Sequence, residues 1–128
     1  MGLFKSLLGE KKDAPATSAP GVEPRQLTGE EFEIALRTSE IPVVVDFWAE
    51  WCSPCHAIAP SVAKLAGEFQ GRALISKLNA DDHPEILARY GIMGIPTLIY
   101  FRGGAEVDRI TGFTSYGALK GKLERLLA

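Results

Sequence analysis

Cys52 and Cys55 are the only cysteines in the chain, and they stand together in Trp51-Cys52-Ser53-Pro54-Cys55-His56. A strongly apolar run, Val43-Val44-Val45-Asp46-Phe47-Trp48, comes just before them, and a helical pattern follows. Two cysteines at this spacing, at a strand-to-helix junction, point to dithiol–disulfide exchange. Side chains at i and i+3 of a helix stand about 5–6 Å apart at Cβ, and a disulfide needs about 3.5–4.5 Å. A slight tightening of the first turn would close that gap. Cys52 would lie at the helix start, where unpaired N–H groups and the positive end of the helix dipole favour an anion. The thiolate is the nucleophile, so Cys52 is expected to attack and the less exposed Cys55 to resolve. Pro54 suits an early helical position, where no N–H bond is lost.

From spacing alone, other uses of the pair stay open. The cysteines could be buried apolar residues. They could be half of a zinc site, with His56 and His83 as the remaining nitrogen donors. Cys52-Ser53-Pro54-Cys55-His56 also fits the Cys-x-x-Cys-His pattern of covalent haem attachment, with His83 or Met93 as the far ligand. No secretory signal is evident, however, and the pattern sits inside an α/β chain. The expectation is therefore a redox-active disulfide, with no bound cofactor and no metal.

The chain has 128 residues, 46% hydrophobic and 23% charged, which is enough for one domain with a real core. Its net charge is −2, with 14 basic and 16 acidic residues and no basic block, so no nucleic-acid partner is expected. No apolar run approaches the roughly 18–20 residues that span a bilayer. Two closely spaced cysteines fit a reducing compartment, and a cytoplasmic monomer is expected.

Residues 1–24 read as a flexible extension ahead of a domain at 25–128. Leu3, Phe4, Leu7 and Leu8 make residues 2–8 a short amphipathic helix candidate, and Gly2 with Ser6 fits a loose myristoylation pattern. Pro15, Pro20 and Pro24 mark a linker. Arg25-Gln26-Leu27 then reads as a short edge strand. Thr28 and Glu31 form a capping box for a helix ending near Ser39. Val43–Trp48 reads as a strand buried on both faces. Residues 54–69 form a helix that Pro60 should kink and Gly71 should close. A strand over 73–78 follows, then a short helix capped by Asp81 or Asp82. Next come a turn-rich Gly91–Pro96 and a strand at 97–102. Gly103-Gly104 signals a hairpin returning over 106–111. A last helix carries Leu119, Leu123, Leu126 and Leu127. The order βαβαβαββα implies an α/β fold, a mixed sheet with helices on both faces.

With these segments in place the chain resembles the thioredoxin family. The matching stretches are Val45-Asp46-Phe47-Trp48-Ala49-Glu50-Trp51-Cys52, Pro54-Cys55, Lys77-Leu78-Asn79, Tyr90-Gly91-Ile92, Gly94-Ile95-Pro96-Thr97 and Gly112. They cover about residues 25–128. The resemblance implies a thioredoxin-like fold and protein-disulfide reduction through Cys52 and Cys55. It implies disulfide-containing protein targets, and a flavin-dependent thioredoxin reductase that uses NADPH. Asp46 resembles the family's buried carboxylate behind the resolving cysteine. A carboxylate in an apolar strand should have a raised pKa and could accept the Cys55 proton. Lys77 resembles the lysine beside that carboxylate, and Pro96 the cis-proline facing the dithiol. Trp51, Pro54, Gly94, Ile95 and Gly112 would form the target-contact surface, with Trp48 packed beneath. A disulfide oxidant or isomerase and a non-enzymatic redox-sensing adaptor are the alternatives. Ser53, His56 and Thr111 depart from the family's usual residues. The His56 imidazolium, four residues past Cys52, could stabilise the thiolate electrostatically, or His56 could be a solvated helix residue with little effect.

Overall fold

The structure is a computed structural model that describes residues 22–128. The amphipathic stretch at 2–8, the myristoylation pattern and nearly all of the 1–24 extension lie outside the described residues. The elements run β1 (Arg25–Gln26), α1 (Gly29–Thr38), β2 (Val43–Trp48), α2 (Ser53–Glu68), β3 (Leu74–Asn79), a 3₁₀ turn (Ala80–Asp82), α3 (Pro84–Arg89), β4 (Thr97–Arg102), β5 (Ala105–Thr111) and α4 (Tyr116–Leu127). This is the expected βαβαβαββα order.

The five strands form one mixed sheet in the order β1-β3-β2-β4-β5. β3 pairs in parallel with β1 and β2, while β4 pairs antiparallel with β2 and β5. β2 is therefore the central strand. Its side chains alternate between two cores, as a pleated strand requires. Val43, Val45 and Phe47 join Phe32 and Leu36 of α1 and Ile86 of α3 on one face. Val44 joins Ile58, Val62 and Leu65 of α2 and Leu119 and Leu123 of α4 on the other. The apolar run, interrupted only by Asp46, follows from this double burial.

Local signals set the ends of the elements. The capping box forms, with the Glu31 N–H donating to Thr28 Oγ1 and the Thr28 N–H to Glu31 Oε1, both at 3.0 Å. Pro60 lies inside α2, and the helix continues past it to Glu68. Gly103 and Gly104 take positive φ values of 61° and 82° at the β4–β5 turn. A side chain at Gly104 would also meet the Leu36 carbonyl oxygen at 3.0 Å, so both conformation and space select glycine there. Ser115 caps α4 by accepting from the Ala118 N–H. Several boundaries shift by a residue, α2 ends on a Phe69 cap with Gly71 two residues beyond it rather than closing it, and one N-cap differs from expectation. Neither Asp81 nor Asp82 caps α3, because both belong to the 3₁₀ turn, whose own cap is Asn79. α3 instead starts at Pro84, whose fixed φ and missing N–H suit a first helical position, and His83 caps it without a side-chain bond.

Candidate active site

The dithiol sits where β2 hands over to α2. Cys52 is the N-cap residue of α2, in extended conformation, and its Sγ accepts from the Cys55 N–H at 3.2 Å. Ser53 and Pro54 begin the helix, which needs no N–H from Pro54 there. Cys52 and Cys55 are joined in a disulfide with Cα atoms 5.2 Å apart. Both sulfurs are engaged in that bond, so the metal-ligand and thioether uses of the pair are not the ones this structure adopts. Both residues are buried, but Cys52 lines an open groove of about 490 Å³, and Cys55 does not. A place on the groove wall, rather than overall burial, separates the two residues.

Beneath them lies Asp46. The pleat places Val44, Asp46 and Trp48 on the same face of β2. Val44 packs under Ile58 and Val62 of α2, and Trp48 packs against Cys52 and Cys55. Asp46 falls between these two contacts, under the first turns of α2. It is fully buried, and among the described residues neither carboxylate oxygen has a hydrogen-bond partner. Burial disfavours its charged form and pushes its pKa up to about 7, with the Lys77 ammonium partly opposing that rise. Lys77 is the register neighbour of Asp46 on β3, and its Nζ stands 4.7 Å from the centroid of the Trp48 ring.

The remaining expected residues surround the disulfide. The Ile95–Pro96 peptide is cis, and the Ile95 carbonyl oxygen lies 3.7 Å from Cys52 Sγ. Thr97 Oγ1 donates to the Gly94 carbonyl at 2.6 Å, and the Gly112 N–H donates to the Pro96 carbonyl at 2.7 Å. Gly112 has a φ of 88°, which favours glycine at this close approach. Trp51 is 70% exposed, and Pro54, Gly94 and Ile95 lie with it along the groove. His56 lies on the first turn of α2, with Nε2 2.6 Å from the Glu50 carbonyl oxygen and the ring edge-on to Trp48.

Two residues of the site were expected only in other roles, Asp81 as a helix cap and Met93 as a far haem ligand. Asp81 accepts from the Trp51 indole N–H at 3.0 Å and so holds the exposed ring at the rim. Only its place just beyond Lys77-Leu78-Asn79 hinted at this. Met93 stands in the groove wall, and its turn-rich segment carries no periodic signal that would have revealed it.

Three comparisons agree with this geometry. The family model described as Thioredoxin matches residues 23–125. Thioredoxin 1 of Nostoc sp. is 40% identical over 102 residues, which span 80% of this chain and 95% of that protein. A chloroplastic thioredoxin of Arabidopsis thaliana is 40% identical over 115 residues, spanning 90% of this chain and 60% of that protein. Among solved structures, a single-substitution mutant thioredoxin from Halobacterium salinarum superposes with a TM-score of 0.76. It is 32% identical, and the match covers 88% of this chain and 97% of that one.

Proposed function

The chain belongs to the thioredoxin family of thiol–disulfide oxidoreductases, and on that premise we propose how its own residues divide the work of reducing a protein disulfide. The observation that carries this reading is a groove-facing Cys52 sulfur at the mouth of α2, with Asp46 hidden behind the pair at a pKa of about 7. In the reduced protein the helix mouth stabilises the Cys52 thiolate. That thiolate attacks a target disulfide. The target S–S bond breaks, a Cys52–target bond forms, and one target sulfur leaves as thiolate and takes up a proton. Cys55 then gives its proton to the Asp46 carboxylate and attacks Cys52 Sγ. This restores the Cys52–Cys55 disulfide and releases the second target thiol. Two electrons pass from the dithiol to the target.

Lys77 tunes the Asp46 charge and supports Trp48. Trp51, Pro54, Gly94, Ile95, Pro96 and Gly112 receive the target segment. An extended segment running past Ile95 pairs with its backbone while the half-cystine meets Cys52. A flavin-dependent reductase drawing on NADPH regenerates the dithiol. This reading takes the protein as a monomer acting in the cytoplasm, with residues 1–24 as an extension from the domain at 25–128. Its support is the single short-spaced cysteine pair, which fits a reducing compartment.

Equilibration of the Cys52–Cys55 couple with glutathione separates a reductase from an oxidant. A potential near thioredoxin's own value of about −270 mV is expected. A couple as oxidising as about −120 mV, the range of a dedicated disulfide donor, would replace this reading with disulfide formation.

A further inference from the structure

Among the described residues, the most exposed large apolar side chain is Met93, at 96%. An isolated exposed apolar residue is ordinary, so its position decides whether it matters. Met93 shares its groove with Cys52, and Trp51, Leu87, Ile92 and Ile95 make the rest of that wall apolar. Among the described residues that line the groove, Asp81 is the only ionisable side chain apart from Cys52, and the Trp51 indole N–H already bonds to it. An incoming carboxylate would find no cation among these residues and would meet the negative charge of Asp81. An incoming aliphatic or aromatic side chain would meet a thioether that adapts its shape to the contact. At about 490 Å³ the groove has room for such a side chain beside the reacting sulfur.

We propose that Met93 is a specificity-determining residue for disulfide reduction, selecting targets whose reacting cysteine lies within a few residues of a bulky apolar side chain. The proposal rests on the reading that this groove receives the target. Met93 supplies the most exposed part of the contact surface, beside the Trp51 ring. It favours apolar neighbours by removing their surface from water, and the groove disfavours acidic neighbours through Asp81.

The test uses two disulfide-bonded peptides that are identical except for Leu or Glu two residues from the cysteine. For the wild-type protein, kcat/KM should favour the Leu peptide by about tenfold or more, the scale of a side chain's burial in an apolar site. Met93→Leu should keep that ratio. Met93→Lys should bring it close to one or invert it. Each ratio is taken within one protein, so a general change in dithiol reactivity cancels. A Met93→Lys protein that keeps the wild-type ratio would overturn the proposal. A wild-type protein that reduces neither peptide would overturn the reading beneath it, and the proposal with it.

Discussion

Cys52→Ser is expected to lower protein-disulfide reduction by at least about 10⁴-fold, the scale on which loss of an enzyme's nucleophile is felt. A serine hydroxyl at the N-cap keeps an oxygen able to accept the Cys55 N–H, so α2 should still start where it does. What disappears is a sulfur that can be a thiolate near neutral pH and can exchange with another disulfide. Cys55 cannot take over this role, because it does not line the groove that Cys52 lines. Turbidity from insulin reduction by a dithiol reductant measures the loss directly. Retention of wild-type turnover by Cys52→Ser would rule out the assignment of Cys52 as the attacking group.

The second large effect is on stability and carries a sign. In the folded chain Asp46 holds its proton up to about pH 7, against a reference value of 3.8. Between those values the folded state binds more protons than the unfolded one, so wild-type stability must fall as pH rises across that window. The Asp46 contribution is fully present below about pH 4 and is gone once the carboxylate has ionised above about pH 7. The gap of roughly three pH units corresponds to about 4 kcal/mol. Asp46→Asn removes that slope. The oxidised variant should match the wild type near pH 4 and exceed it by about that amount at pH 8.5, read from guanidinium unfolding. Glu68, Glu106 and Asp108 have lowered pKa values and lose their contributions on acidification instead. Both proteins share them, so the difference curve isolates Asp46. The same substitution should slow release of the mixed disulfide by about 10²-fold or more, the usual worth of a general base. Superimposable stability–pH curves for the two proteins would show that Asp46 carries no raised pKa.

Much of this arrangement could be read from short-range pattern. Val43–Trp48 announced a strand covered on both faces because every residue but one is apolar, and that exception, Asp46, marked itself by its neighbours. The capping box at Thr28 and Glu31 and the turn at Gly103-Gly104 are contained within a few residues, so local rules suffice. The short helix at Pro84–Arg89 was legible, but its cap was not. Asp81 and Asp82 have good capping side chains, and Pro84 outweighed them by fixing the first helical position further on. The bond from Trp51 to Asp81 joins residues thirty positions apart and exists only because β3 runs parallel to β2. The spacing of His56 from Cys52 left the partner of its ring open, and that partner, the Glu50 carbonyl, lies six residues back, where no periodic pattern marks it. Met93 lies in the turn-rich Gly91–Pro96 segment, where no periodicity separates inside from outside.

The most direct test is to trap the intermediate. Reduced Cys55→Ser protein, mixed with a disulfide-bonded target and analysed by intact-mass and peptide mass spectrometry, should form a one-to-one covalent adduct through Cys52 that a small dithiol releases. Reduced Cys52→Ser protein should form essentially none. Adducts through Cys55, or equal adduct formation by both variants, would contradict the assignment of attack to the sulfur at the mouth of α2.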